Sequence, residues 1–182
     1  MVSLACHDLR TPLATVQGFA RTLVRMGGAD EQQTRYLGLI DAASTQLTEL
    51  LEVLALAARI EGGRWEPLEQ DSDTLELARE AVAPLETRAL VRGDGAAVTT
   101  DRDAVRIALY GLSNSALRHG GLERVEVDVD GRVVRLGPVT DAAPVVLGEN
   151  LRDLGAAVGR MVIEALGGTV AVDDERLVVS LA

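Results

Sequence analysis

The sequence predicts an α + α/β chain in two parts: a helical hairpin over residues 1–62 that forms a dimeric four-helix bundle, followed by a two-layer α/β sandwich over residues 63–182. Two observations carry this. Up to residue 57 the apolar side chains recur at helical spacing, broken once at Gly27-Gly28. Beyond Gly63 the chain alternates short β-rich runs with helical stretches, and two of the runs fold back as hairpins. Of the 182 residues 47% are hydrophobic and 25% charged, which lies in the globular range; with aromatic residues at 2%, the core has to be built from Leu, Val, Ile and Ala.

Each element has its own signal. Val2, Leu9, Leu13, Val16, Ala20 and Leu23 line one face of a helix over residues 2–26, which Gly27-Gly28 ends. Asp30, followed by Glu31, is placed to cap a second helix. That helix carries Tyr36, Ile40, Ala43, Leu47, Leu50, Leu54 and Ala57 on its apolar face and stops at Gly62-Gly63. Two long amphipathic helices joined by a short turn make an antiparallel hairpin. A lone hairpin leaves too much apolar surface in water, so a second copy is expected to complete the bundle. In the second part, Trp65 to Leu68 reads as a short strand, Asp71 to Leu85 as a helix, and Arg88 to Val91 and Ala97 to Thr99 as weak strands. Asp101 to His119 is a strong helix closed by Gly120 just past its C-cap. Val125 to Val129 alternates with period two, Asp130-Gly131 supplies a tight turn, and Arg132 to Leu136 returns. A loop over Gly137 to Gly148 leads to a helix from about Glu149 to Leu166, stopped by Gly167-Gly168. Thr169 to Val172 and Leu177 to Leu181 close the chain as a hairpin around Asp173-Asp174-Glu175.

Composition removes whole classes of function. A net charge of −10 and the scarcity of aromatic rings argue against nucleic acid, which calls for a basic surface and often for stacking platforms. All 18 basic residues are Arg, so no lysine is available as a Schiff base or a P-loop cation. The single Cys6 forms no disulfide within the chain, and with two histidines it makes no structural zinc site. The expectations are therefore no metal, a reducing cytoplasmic setting and no membrane contact, since the chain shows neither a long apolar run nor a signal peptide.

Chemistry concentrates in His7-Asp8-Leu9-Arg10-Thr11-Pro12-Leu13. At about 100° per residue, the apolar face of the first helix centres roughly 150° from His7, whereas Thr11 lies only about 40° from it. His7 and Thr11 thus share the outward face. Ala14 and Gly18 continue that face with side chains small enough for close approach by another protein, flanked by Arg10, Arg21 and Arg25. An imidazole beside a carboxylate and a hydroxyl suits nucleophilic work: Asp8 takes the ring proton and the neutral nitrogen attacks a phosphoryl group. Pro12 cannot donate to the Asp8 carbonyl and should bend the helix just past the site. A solitary surface histidine carries little meaning; the whole string carries more. It resembles the H-box of two-component sensor histidine kinases, His-Glu/Asp-Leu-Arg-Thr-Pro-Leu. The resemblance implies that His7 is the phosphoacceptor, Asp8 the general base, and Thr11 the residue that orients water when a response regulator is dephosphorylated. The helical hairpin likewise resembles the family's dimerisation and phosphotransfer domain.

The second part resembles the family's ATP-binding domain, with its chemistry eroded. Gly111-Leu112-Ser113-Asn114-Ser115-Ala116-Leu117-Arg118-His119-Gly120 is similar to the N-box. Gly111 stands at its first asparagine and Ser115 at the second, whose amide oxygen helps hold Mg²⁺; Asn114 is one residue out of register, about 100° away. Arg118 and His119 remain, either for phosphate or as cations suited to a helix C-terminus. The family's adenine-binding Asp-x-Gly-x-Gly is matched by Arg135-Leu136-Gly137-Pro138, which puts a donor where the purine needs an acceptor. Asp153-Leu154-Gly155-Ala156-Ala157-Val158-Gly159 resembles the glycine-rich lid motif, with Asp153 a carboxylate that repels polyphosphate unless a metal intervenes. The stretch from Gly137 to Gly155 is short for a phosphate-covering lid. Ile163-Glu164-Ala165-Leu166-Gly167-Gly168-Thr169-Val170 resembles the scaffold after the lid, so the fold signature persists where the nucleotide chemistry does not.

The resemblance therefore implies a dimeric histidine phosphotransferase that exchanges phosphoryl groups with the receiver domains of response regulators and needs no cofactor. Two alternatives stand beside it: a working sensor-kinase core that uses ATP and Mg²⁺ through Asn114 after a register shift, and a non-catalytic adaptor that sequesters response regulators.

Overall fold

The structure is a computed structural model that describes residues 2–27, 30–147, 149–150 and 152–182, with side chains described from Leu9 onward. The chain divides into two compact units, Met1–Arg59 and Ile60–Ala182.

The first unit is the helical hairpin. Helix α1 spans Val2–Met26 and runs through Pro12; helix α2 spans Glu31–Glu61, its last residues passing into the second unit. Gly27, at φ +69°, takes the left-handed conformation that ends α1 without a Cβ penalty. Asp30 caps α2 reciprocally with Gln33: the Gln33 N–H donates to Asp30 Oδ1 at 2.7 Å, and the Asp30 N–H donates to Gln33 Oε1 at 3.2 Å. The two helices are joined by Gln17 Nε2 donating to Thr45 Oγ1 at 2.8 Å and by an Arg21 Nε to Asp41 Oδ1 ion pair at 2.7 Å. Ala20, Ser44, Leu56 and Ala57 are buried.

In the second unit a five-stranded sheet carries helices on one face. Its order is β2-β4-β5-β7-β6, with β2 (Ala89–Gly95), β4 (Val125–Gly131), β5 (Val133–Gly137), β6 (Thr169–Asp173) and β7 (Arg176–Ser180). The β2–β4 pair is parallel and the other three are antiparallel. A second, two-stranded sheet pairs β1 (Glu69–Asp73) with β3 (Ala97–Asp101). Helices α3 (Thr74–Val82), α4 (Arg102–His119) and α6 (Leu154–Ala165) cover the sheet, and the four-residue α5 (Ala143–Val146) packs beside α4 and α6. Period-two alternation sends Val125, Val127, Val129, Val134, Leu136, Leu177 and Val179 inward against Leu77, Leu109, Leu112 and Ile163. The sequence therefore yields the expected helical hairpin and α/β sandwich. Thr74 ties three elements together: its buried hydroxyl donates to the Gly131 carbonyl at 2.6 Å and accepts from the Ala96 N–H at 2.9 Å.

Several boundaries move. The strand expected at Trp65 to Leu68 lies at Glu69–Asp73, a polar segment whose pairing with β3 leaves no apolar alternation to read. The helix expected from Asp71 starts at Thr74, because Asp73 caps it by accepting from the Leu75 and Glu76 N–H groups. It gives way to a 3₁₀ turn over Ala83–Arg88, next to Pro84. Gly120 is the C-cap of α4 with helical φ, and Gly121 takes the positive φ instead. The hairpin turn shifts by one residue: Asp130 pairs with Val133, leaving Gly131 (φ +59°) and Arg132 as the loop. The last helix starts at Leu154 rather than near Glu149, with a 3₁₀ turn (Thr140–Ala142) and α5 in the connection.

Candidate functional site

The exposed face of α1 presents Arg10, Thr11, Ala14, Gly18, Arg21 and Arg25, all solvent-accessible. His7 and Asp8 belong to the helix, but their side chains lie outside the described residues. Nothing lies within 4 Å of a Cβ built on Gly18, so the backbone there is open to close approach. Thr15 Oγ1 donates to the Thr11 carbonyl at 3.0 Å and Thr22 Oγ1 to the Gly18 carbonyl at 2.7 Å, which turns both hydroxyls back onto the helix. Arg21 is committed to Asp41 of α2, a partner that no motif announces. Its contribution to docking is therefore shared with holding the hairpin together.

Asn114, Ser115, Arg118, His119, Asp153 and Gly155 lie where α4 meets α6, and there the two helices pack as a close seam. A Cβ on Gly111 would stand 2.4 Å from the Gly155 carbonyl oxygen, and one on Gly159 would stand 2.8 Å from the Ala108 carbonyl oxygen. The two backbones touch because Ala108 and Gly111 on one helix face Gly159 and Gly155 on the other. A glycine pair four apart is the sequence signal for such an approach, and the lid resemblance hides it. Ser115 and Ser113 are fully buried, and their Oγ atoms have no hydrogen-bond partner. Asn114 is half-buried.

Asp153 links the ends of the two helices. Its Oδ1 accepts from the Ala156 N–H at 3.1 Å, capping α6. Its Oδ2 stands 3.2 Å from His119 Nε2 and 3.6 Å from Arg118 NH1. The Asp153 side chain keeps only 7% of its accessible surface.

Arg135 is not part of this group. On β5 its neighbours Val134 and Leu136 face the core, so Arg135 faces the other side of the sheet, where its NH1 lies 3.4 Å from Asp130 Oδ2. Arg135 therefore lies on the sheet face away from the helices, apart from the positions that resemble the N-box and the lid. Gly137 ends β5, where a Cβ would meet Arg176 Cγ at 2.9 Å. On that outer face Arg92 and Arg176 both bond Asp128, and Glu126 Oε2 lies 3.0 Å from Arg92 NH2 and 3.4 Å from Arg176 NH2. The Arg92 hydrogen bond, helped by Arg176 and opposed by partial burial, holds the Asp128 carboxyl below its ordinary value.

Among the described residues no group of acids, histidines and cysteines is arranged to hold a metal ion, and no helix is long and apolar enough to cross a membrane. Residues 1–63 match the His Kinase A (phospho-acceptor) domain family. The chain is 36% identical over 83 residues to the probable sensor histidine kinase TcrY of Mycobacterium tuberculosis, covering 45% of this chain and 17% of that protein. It is 29% identical over 194 residues to the sensor protein DivL of Caulobacter vibrioides, covering 93% of this chain and 25% of that one. The chain thus spans a quarter or less of these two relatives. In fold it is similar to the Acinetobacter baumannii histidine kinase AdeS, with a TM-score of 0.61 and 20% identity over 96% of this chain and 98% of that one. Residues 1–63 thus match a histidine-kinase phospho-acceptor domain, and the chain as a whole is similar in sequence to sensor histidine kinases and in fold to a histidine kinase.

Proposed function

We propose that this chain is a histidine phosphotransferase of two-component signalling, which moves phosphoryl groups between His7 and receiver-domain aspartates without using ATP. The imidazole of His7 attacks the phosphorus of a phospho-aspartate, the aspartate carboxylate leaves, and Asp8 takes the ring proton; the reverse step loads a second receiver, or Thr11 orients water and the phosphate is lost. The observation that carries the ATP-independence is the α4–α6 seam. The position of the first N-box asparagine is a glycine with no room for a Cβ, and the position of the second is a serine with no accessible surface. Each missing hydrogen bond to a buried polar group costs about 1–3 kcal/mol, so two losses take a micromolar nucleotide to roughly millimolar or weaker.

The phosphotransfer unit is a homodimer in this account. Leu9, Val16 and Leu23 recur every seven residues on α1, and Tyr36, Ile40, Leu47 and Leu50 lie on the apolar stripe of α2; each is at least 41% exposed in the single chain. Each such side chain gains about 1.5–3 kcal/mol on full burial, which a second hairpin supplies. Response-regulator receiver domains are the partners, docking on the face of Thr11, Ala14 and Gly18 between Arg10 and Arg25.

Calorimetric titration of the full chain with ATP and Mg²⁺ tests the reading. No saturable binding is expected below about 1 mM. A micromolar dissociation constant would return the chain to the working-kinase class.

A further inference from the structure

We propose that Asp153 is an internal anion that closes the cationic cradle at the α4–α6 junction to phosphate-bearing ligands. The inference rests on the ATP-independent reading above and supplies the residue that enforces it. The junction holds the ingredients of an anion site: the guanidinium of Arg118, the imidazole of His119 and the N-terminal N–H groups of the twelve-residue helix α6. All three already converge on one carboxylate. Asp153 Oδ1 accepts from the Ala156 N–H, while Oδ2 faces His119 at 3.2 Å and Arg118 at 3.6 Å.

Capping alone does not account for this residue. Ser or Asn caps a helix about as well as Asp, using one oxygen. The second oxygen is the part that engages Arg118 and His119, and only a charged side chain offsets the Arg118 guanidinium. With its side chain 7% exposed, the carboxylate is poorly screened by water, so a phosphate brought to the same donors meets a like charge at close range. The same contacts hold the start of α6 against the end of α4. Gly155, two residues beyond Asp153, therefore stays seated on Gly111. Charge and backbone together fill the space.

The test is a calorimetric titration of the full chain, and of its D153S and D153N variants, with inorganic pyrophosphate and separately with ATP, each with and without Mg²⁺. Circular dichroism melts confirm that each variant folds; D153N is closest in shape to the parent and serves if D153S does not fold. The expected result is no saturable pyrophosphate binding to the parent up to about 1 mM and a dissociation constant at least about tenfold below that limit for the variants, lost again when R118Q is added. The inference is overturned if folded variants bind pyrophosphate no better than the parent. It is equally overturned if the parent binds ATP only with Mg²⁺ and the variants lose that binding, because Asp153 would then be a metal ligand. An inert parent with inert variants removes this inference alone. A parent that gains no phosphate from receivers, alongside variants that gain pyrophosphate, removes the phosphotransferase reading alone.

Discussion

Thr11 sits one helical turn after His7 on an open face, and the two substitutions separate chemistry from turnover. His7→Ala removes the nucleophile and is expected to abolish phosphoryl transfer while leaving the circular dichroism melt unchanged, because the apolar seam lies on the other side of the helix. Thr11→Ala keeps the imidazole and the transfer step, and the dephosphorylation of a phosphorylated receiver by the chain is expected to slow by up to about 10²-fold. These residues were legible because a contiguous string on one helix carries its own geometry. The Asp153 cluster was not, since its members stand 34 and 35 positions apart and meet only when α6 folds against α4. Arg135 was legible as a residue type but not in its placement, because the face a strand residue takes follows from which of its neighbours the core buries.

Among the elements, the long helices and the two hairpins follow from periodicity, and the misplaced pieces share a cause. β1 is a polar strand held by its pairing with β3, and the connection before α6 packs against α4 and α6, so neither leaves a local pattern. The α4–α6 seam makes a direct prediction. Gly111→Asn restores the N-box residue type, yet its Cβ would meet the Gly155 carbonyl at 2.4 Å. It is expected to destabilise the fold by about 1–3 kcal/mol, read as a lower denaturation midpoint, and to gain no ATP binding. On α2, Tyr36, Ile40, Ala43, Leu47, Leu50, Leu54 and Ala57 alternate spacings of four and three, the pattern of a coiled-coil seam. Leu47, 51% exposed in the single chain, is expected at the dimer core. Leu47→Asp should shift the chain from dimer toward monomer in light scattering at micromolar concentration.

At the scale of the whole molecule, charge divides the surfaces by role. The chain carries −10 overall, so the arginines flanking the face proposed for receiver docking form a local exception. Replacing Arg10 and Arg25 with Gln is expected to slow receiver association and flatten its salt dependence, with less effect on transfer once bound. The outer sheet face uses charge for stability. Asp128 is held below its ordinary value of 3.8 by its hydrogen bond to Arg92 and by Arg176. That stabilisation is present above the ordinary value and is lost as pH falls below it. Asp128→Asn should therefore lower the melting temperature at pH 7, and the difference from the parent should shrink as the pH falls below 3.8 and through the lowered folded value. The source of the phosphoryl group is read directly by one labelling experiment. The full chain is incubated in parallel with labelled ATP and Mg²⁺ and with a labelled, phosphorylated receiver domain, and acid-labile phosphate on His7 is scored against His7→Ala. Label arriving from the receiver and not from ATP is the predicted result; label from ATP on the parent, absent from His7→Ala, would contradict the account.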